Sequence, residues 1–229
     1  MPRKYARATG VLAVMAVAFV ASFAGAASAA TSPVINAVKT NTSASGPVVV
    51  AVGDSILMGH GLGSNESWIA QLAVQDNFDL VNLASDGSGF VTAGDNDDTF
   101  ADQIRAAIDR KANVVILSGS SNDLGQSDPG VKAAADAAVT ELHTALPNAR
   151  IIAVSGIWGD TNVPEQMRTI NEAVEAAVSA VGGTYLRIGQ PLGGKVALMQ
   201  DDGVHPTAEG QTLIAQRVQK ALNHAGETL

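Results

Sequence analysis

The segment Pro47-Val48-Val49-Val50-Ala51-Val52-Gly53-Asp54-Ser55 decides the fold. Its apolar residues Val48–Val52 run without a break, which is typical of a strand that is buried on both faces of a sheet. Small and polar residues follow at once, so the strand ends there and the chain turns. A serine exposed at a strand end can be a nucleophile. The segment therefore predicts a buried parallel strand with a candidate site at its carboxyl end.

Apolar runs and helix-like segments alternate along the rest of the chain. The predicted strands after the first are Leu80–Ala84, Val114–Ser118, Ile151–Ser155 and Tyr185–Ile188. The predicted helices are Glu66–Gln75, Phe100–Lys111, Val131–Leu146, Glu165–Val181 and residues 208–224. Continuous apolar strands separated by such helices are typical of a parallel sheet covered on both faces. We therefore expect an α/β domain with three layers, α/β/α, around a five-stranded parallel sheet.

The first 29 residues have the pattern of a secretory signal peptide. Three basic residues precede the apolar stretch 11–23, and Ala27-Ser28-Ala29 forms a cleavage site of small residues. A membrane span needs about 20 apolar residues, so an uncleaved anchor is the less favoured alternative. Residues 30–46, rich in Thr, Ser, Asn and Ala, are expected to be a flexible lead-in, and residues 47–229 the domain. The protein is therefore predicted to be secreted, extracellular or within the cell envelope, with no stable membrane anchor.

The composition limits the classes of partner. The 229 residues carry a formal net charge of −8 and include no cysteine. An acidic balance disfavours nucleic acid and anionic membranes as partners. Without cysteine there are no disulfides, so stability has to come from packing, for which a domain of this size has an ample core. We expect a monomer that uses no metal or organic cofactor.

Four polar segments are predicted to meet at one edge of the sheet. Ser55, Gly87 and Asn122 follow the first three predicted strands, and His205 lies in the loop before the last helix. This edge, beyond the carboxyl ends of the strands, is where open α/β sheets bind ligands. Asp202 could orient His205 as the base for Ser55, and the N–H groups of Ser55 and Gly87 with the Asn122 amide could hold an oxyanion. Taken singly, each segment also has an ordinary explanation as a turn or a helix cap.

Together the segments resemble the four blocks of the SGNH, or GDSL-like, hydrolase superfamily. The blocks are Gly53-Asp54-Ser55, Asn82…Gly87, Gly119-x-x-Asn122-Asp123 and Asp202-x-x-His205-Pro206, and the resemblance covers residues 48–221. It implies a flavodoxin-like hydrolase domain in which the Ser, Gly, Asn and His of these blocks take part in the reaction. The sequence has no Gly-x-Ser-x-Gly, so the nucleophile elbow of the α/β-hydrolases is not supported.

The predicted function is hydrolysis of carboxylic esters by a serine esterase, through an acyl-enzyme on Ser55. Short loops without a long lid favour short-chain acyl or acetyl esters of a small molecule or a glycan. Two alternatives stay open. One is a carbohydrate O-deacetylase or acyltransferase that uses the same residues, and the other is a cell-envelope binding module that keeps the fold without turnover.

Three further features have ordinary explanations. Asp95-Asn96-Asp97-Asp98 is similar to a calcium loop but lacks the glycine and the final glutamate of an EF-hand, so a solvated acidic loop is expected. His60, five residues after Ser55, could line the pocket, but a loop residue is expected, because Asp202 and His205 already supply a base. Trp158 follows the fourth strand and either walls an acyl pocket or packs in the core.

Overall fold

The computed structural model describes residues 38–39 and 47–229. The predicted signal peptide and most of the predicted lead-in lie outside the described residues. The strands are β1 Val38–Lys39, β2 Val48–Val52, β3 Asp79–Asn82, β4 Val114–Ser118, β5 Arg150–Val154 and β6 Thr184–Leu186. The helices are α1 Ser55–Met58, α2 Trp68–Asp76, α3 Phe100–Asp109, α4 Asp128–Ala145, α5 Glu165–Ala180 and α6 Ala208–Ala225, with a short 3₁₀ turn at Val196–Leu198.

The strands form one sheet in the order β1-β3-β2-β4-β5-β6. Strands β2 to β6 pair in parallel, as the alternation of strands and helices predicts. Strand β1 is an addition to that prediction: Val38 pairs antiparallel with Asn82 on the free edge of β3. It comes from the segment expected to be a lead-in, and two residues carry no period from which a strand could be predicted. The five-stranded parallel sheet is confirmed, and β1 covers one of its edges.

The residues of β2 alternate between two helical layers. Val49 and Ala51 belong to the core cluster built with α2 and α6, whereas Val50 and Val52 belong to the cluster built with α3, α4 and α5. All four side chains are fully buried. Because successive side chains of a strand point to opposite faces, an unbroken apolar run requires a cover on both sides. The predicted α/β/α arrangement is confirmed.

Side-chain caps decide where two of the helices begin. Ser67 Oγ accepts the N–H of Ala70 at 3.4 Å, so α2 starts later than the apolar pattern predicts. Ser127 Oγ accepts the N–H of Gly130 at 3.3 Å, so α4 starts earlier than predicted. A serine that satisfies an otherwise unpaired amide fixes the first turn, whatever the apolar pattern on either side. Within the described ranges, no helix has the length and apolar character needed to cross a bilayer.

The fold brings the predicted site together at one edge. The loops after β2, β3 and β4 leave the sheet at its carboxyl edge, and these three strands are neighbours. The loop that precedes α6 returns to the same edge, where its residue His205 contacts Ser55. Residues far apart in the chain therefore meet as the topology predicts.

Candidate active site

Ser55 is the first residue of α1 and follows β2 after a tight turn. Asp54 caps that helix, because its Oδ1 accepts the N–H of Ile56 at 3.0 Å. The buried side-chain amide of Gln103, on α3, fixes this turn. Its Oε1 accepts the Gly53 N–H at 2.8 Å, and its Nε2 donates to the Gly53 carbonyl at 3.1 Å. The serine hydroxyl is therefore presented from a backbone that is fixed on both sides.

Three side chains form an unbroken chain of hydrogen bonds. His205 Nε2 lies 2.9 Å from Ser55 Oγ, and His205 Nδ1 lies 2.7 Å from Asp202 Oδ2. The second oxygen of Asp202 accepts the backbone N–H groups of Val204 and His205 at 2.8 and 3.0 Å. An imidazole bonded to a carboxylate through one nitrogen and to a hydroxyl through the other is able to take the hydroxyl proton. The structure thus brings the predicted nucleophile, base and orienting carboxylate into contact.

The loop around His205 keeps Asp202 ionised. The backbone N–H of His205, the imidazole of His205 and the backbone N–H of Val204 together hold the pKa of Asp202 well below its usual range. Each of these groups stabilises the carboxylate more than the carboxylic acid. Asp202 therefore remains a negative partner for the imidazole throughout the mildly acidic range.

Asp54 has the opposite environment. Burial raises the pKa of Asp54 to about 7, although backbone N–H groups of Ile56, Leu57 and Ser121 favour its ionised form. Removing a carboxylate from water costs more here than these hydrogen bonds return. The carboxyl group nonetheless joins the turn at Ser55 to the loop that carries Asn122.

The predicted oxyanion donors come from the loops after β3 and β4. Gly87 has φ +73°, in the left-handed region that favours glycine. The Asn122 amide donates to the Ser88 carbonyl at 2.9 Å, so one amide hydrogen fixes the side chain and the other stays available. Among the described residues, no acceptor takes the backbone N–H of Ser55 or of Gly87. The loops therefore carry free donors of the kind that an oxyanion requires.

Sequence reasoning missed the role of Asp123, which ties these two loops together. This fully buried carboxylate accepts the N–H groups of Phe90, Val91 and Thr92 at 2.7, 3.0 and 3.0 Å. The Thr92 hydroxyl in turn donates to the carbonyl of Asn122 at 2.8 Å. The three N–H donors replace the water that the carboxyl group loses on burial. Only the adjacency of Asp123 to Asn122 could have indicated this role.

His60 lies in a turn, as the sequence predicts, and it also contacts His205. Its ring stacks on the ring of His205, with centroids 4.1 Å apart and planes inclined by 24°. Its Nδ1 lies 2.7 Å from Asp86 Oδ2, so it belongs to a second histidine–aspartate pair. Its position five residues after Ser55 indicates a place near the pocket, but not the stacking on His205.

Two groups of side chains contain potential ligands for a cation. His60, Asp202 and His205 hold ligand atoms within 4.8 Å of one another. Both nitrogens of His205 are already bonded, so a metal there would displace the contact with Asp202 or with Ser55. In the predicted acidic loop, Asp98 is buried and accepts a hydrogen bond from Gln103 at 3.0 Å, so this residue belongs to the interior rather than to a solvated loop.

A small cavity is lined in part by Ile56, Ser121 and Val204, the sequence neighbours of Ser55, Asn122 and His205. Its volume is about 80 Å³. Trp158 lines it and is fixed by a hydrogen bond from its Nε1 to Thr161 Oγ1 at 2.9 Å, which favours the pocket wall over core packing. The other lining residues are Ile56, Ser121, Ile157, Gly159, Thr161, Gly203 and Val204. The cavity thus joins residues next to Ser55, Asn122 and His205.

Solved structures share this fold. A psychrotrophic esterase, EstA, from Pseudoalteromonas sp. is 18% identical, with a TM-score of 0.61 over 77% of this chain and 97% of that one. A family two carbohydrate esterase from Clostridium thermocellum is 17% identical, with a TM-score of 0.65 over 81% and 66%. A salicylyl-acyltransferase from a tetracycline biosynthetic pathway is 19% identical, with a TM-score of 0.62 over 81% and 57%. At these identities the likeness concerns the fold alone.

Sequence comparison identifies the family. No curated protein matches the chain significantly. The pattern of the GDSL-like lipase/acylhydrolase family matches residues 51–213, which is most of the domain and includes all five predicted site residues. The chain therefore belongs to the GDSL-like lipase/acylhydrolase family and is an ester-hydrolysing enzyme.

Proposed function

We propose that the protein is a secreted serine esterase that cleaves short-chain acyl or acetyl esters. Ser55 is the nucleophile, His205 the general base and acid, and Asp202 the group that orients and polarises the imidazole. The observation that carries the proposal is the chain of hydrogen bonds from Asp202 through His205 to Ser55, at 2.7 and 2.9 Å. A serine hydroxyl is a weak nucleophile unless a base in contact with it removes its proton.

The reaction proceeds in two halves. His205 Nε2 takes the proton of Ser55 as Oγ bonds to the ester carbonyl carbon, and the carbonyl electrons move to oxygen. The N–H groups of Ser55 and Gly87 and the amide of Asn122 meet this oxyanion. As the intermediate collapses, the bond to the alcohol oxygen breaks and His205 returns the proton to it. Water then attacks the acyl-enzyme with the same base, which releases the carboxylic acid and restores Ser55.

The small cavity supports a short acyl group, because sequence neighbours of Ser55, Asn122 and His205 line it. Its volume of about 80 Å³ is far below the roughly 300–1,000 Å³ of a pocket for a drug-sized ligand. Trp158 and Ile157 form apolar walls, so the cavity suits a few methyl or methylene groups. A long acyl chain would have to leave the cavity and lie on the surface.

The exposed side of the site favours a second candidate function with the same chemistry. This candidate is a carbohydrate O-deacetylase or acyltransferase. The side chains of His60 and Asp202 are 41% and 42% exposed, so the side of the site they form is open to solvent. An open side accommodates a bulky alcohol such as a glycan. Incubation with an acetylated oligosaccharide and a competing alcohol separates these activities: free acetate indicates hydrolysis, and an acetylated acceptor indicates transfer.

The chain-length part of the proposal is tested with acetyl, butyryl and octanoyl aryl esters. We expect kcat/KM to be highest for the acetyl or butyryl ester, and Ser55→Ala to abolish turnover of all three. Ser64→Ala, which changes an exposed loop serine, is the matched control and should behave like the wild type. A preference for octanoyl would contradict the assignment of the cavity, and turnover by Ser55→Ala would contradict the mechanism.

Secretion is proposed from the signal-peptide pattern of residues 1–29. Mass spectrometry of exported protein should give an N-terminus near Ala30. Active exported protein that still begins at Met1 would overturn this part of the proposal.

A further inference from the structure

A second histidine–aspartate pair lies against the face of His205. The rings of His60 and His205 are stacked with centroids 4.1 Å apart. Asp86 Oδ2 lies 2.7 Å from His60 Nδ1 and so fixes the orientation of the His60 ring. Asp86 also immediately precedes Gly87, so the pair connects the face of the proposed base to the loop of a proposed oxyanion donor.

The hydrogen bonds of His205 leave its ring faces unsupported. Both bonds, to Asp202 and to Ser55, are made by ring nitrogens and lie in or near the ring plane. In-plane bonds resist displacement within the plane, but they weaken only gradually as the ring moves perpendicular to it. The Asp202 side chain is fixed by the N–H groups of Val204 and His205, but it meets the imidazole only through Nδ1 and so does not support the ring face. A flat group packed on the face supplies the missing restraint.

Gln200 holds the backbones of the two stacked residues together. Its side-chain amide donates to the carbonyl of His60 at 2.8 Å, and its backbone N–H donates to the carbonyl of His205 at 2.8 Å. The same amide donates to the carbonyl of Pro206 at 2.9 Å. One residue therefore joins the backbones on both sides of the stack, and the contact between the rings does not depend on two independent loops.

The stack gains strength during the reaction. When His205 takes the proton of Ser55 it becomes a cation that faces the ring of His60. The carboxylate of Asp86, bonded to the His60 ring, places a negative charge on this side of the stack, and a nearby opposite charge favours the protonated form of His205. An interaction that is stronger in the transition state than in the ground state raises kcat.

We propose that His60, held by Asp86, is a positioning residue of the reaction that fixes the face of His205 and stabilises its protonated form. The proposal rests on the proposed role of His205 as the base. His60 touches neither Ser55 nor the small cavity in the contacts described, so its effect passes through His205.

The first test compares variants of His60 with a soluble acetyl ester. His60→Ala should lower kcat by about 2- to 10-fold, the effect of one aromatic contact, and leave KM unchanged. His60→Phe keeps a flat ring and should recover part of the loss. His224→Ala removes an exposed histidine on α6 and should have no effect. An unchanged kcat for His60→Ala, or a His60→Phe variant as slow as His60→Ala with the same unfolding midpoint, would overturn the proposal.

The second test asks whether the effect passes through His205. In a His205→Ala background, His60→Ala should cause no further loss of the residual hydrolysis, because the residue through which it acts is gone. A further loss by the same factor as in the wild type would assign His60 a merely structural role and overturn the proposal. Full activity of His205→Ala alone would instead refute the proposed function, so the two failures are distinguishable.

Discussion

Replacing Asp123 by asparagine should destabilise the joined loops that present Gly87 and Asn122. The carboxylate accepts three N–H groups, two on Oδ1 and one, from Phe90, on Oδ2. Asparagine keeps one acceptor oxygen and places an NH₂ group where the other oxygen stood. If its oxygen keeps the pair on Oδ1, the buried N–H of Phe90 loses its acceptor and faces a donor.

The expected cost follows from that single lost partner. A hydrogen bond to a charged group contributes about 1.5–3 kcal/mol, and the two bonds that remain lose their charge assistance, so we expect a loss of about 2–4 kcal/mol in the free energy of unfolding. For a domain of this size this lowers Tm by roughly 4–16 °C. Thermal unfolding followed by circular dichroism measures it, with Asp97→Asn, an exposed acid of the neighbouring loop, as the matched control. Equal midpoints for the two variants would refute the reasoning.

Three further predictions concern other parts of the site. Asn122→Ala should lower kcat by roughly 10²–10³ and leave KM nearly unchanged, because the proposed mechanism assigns the amide to the oxyanion; a rise in KM at constant kcat would assign it to substrate binding instead. Burial raises the pKa of Asp54 from 3.8 to about 7, so the folded chain keeps a proton that the unfolded chain has released, and stability from this group is lost as pH rises from about 4 to about 7. Urea unfolding should show that loss in the wild type and not in Asp54→Asn; identical pH dependence would contradict it. Trp158→Ala should extend the acyl chains accepted, because it removes one wall of the small cavity, and an unchanged chain-length profile would show that this wall does not limit the substrate.

The fold could be predicted because its signals are local. The unbroken apolar run Val48–Val52 requires cover on both faces, and the alternation of such runs with helices leaves few topologies other than a parallel sheet. Helix starts were displaced where Ser67 and Ser127 cap the backbone, since a single hydrogen bond outweighs the apolar pattern at a helix end. Strand β1 could not be predicted, because its pairing depends on the free edge of β3 rather than on its own residues.

The residues of the candidate site that belong to short sequence motifs could be predicted. Few chemistries need the residue types and spacings of Ser55, Asp202 and His205. Because open α/β sheets bind ligands beyond the carboxyl ends of their strands, these residues could be expected to meet there. The supporting contacts were not predictable in the same way. These contacts join loops whose conformations cannot be predicted from the sequence. They are the pairing of His60 with Asp86 and that of Asp123 with three backbone N–H groups.

The central claim is that Ser55 carries the acyl group and that His205 activates it. The most direct measurement is the site and rate of labelling by a fluorophosphonate ester, read by mass spectrometry of the labelled peptide. We predict one phosphonyl group on Ser55 in the wild type, none in Ser55→Ala, and much slower labelling in His205→Ala, because the hydroxyl then has no base in contact. A wild-type protein that is not labelled, is labelled at another residue, or is labelled equally fast without His205 would contradict the account.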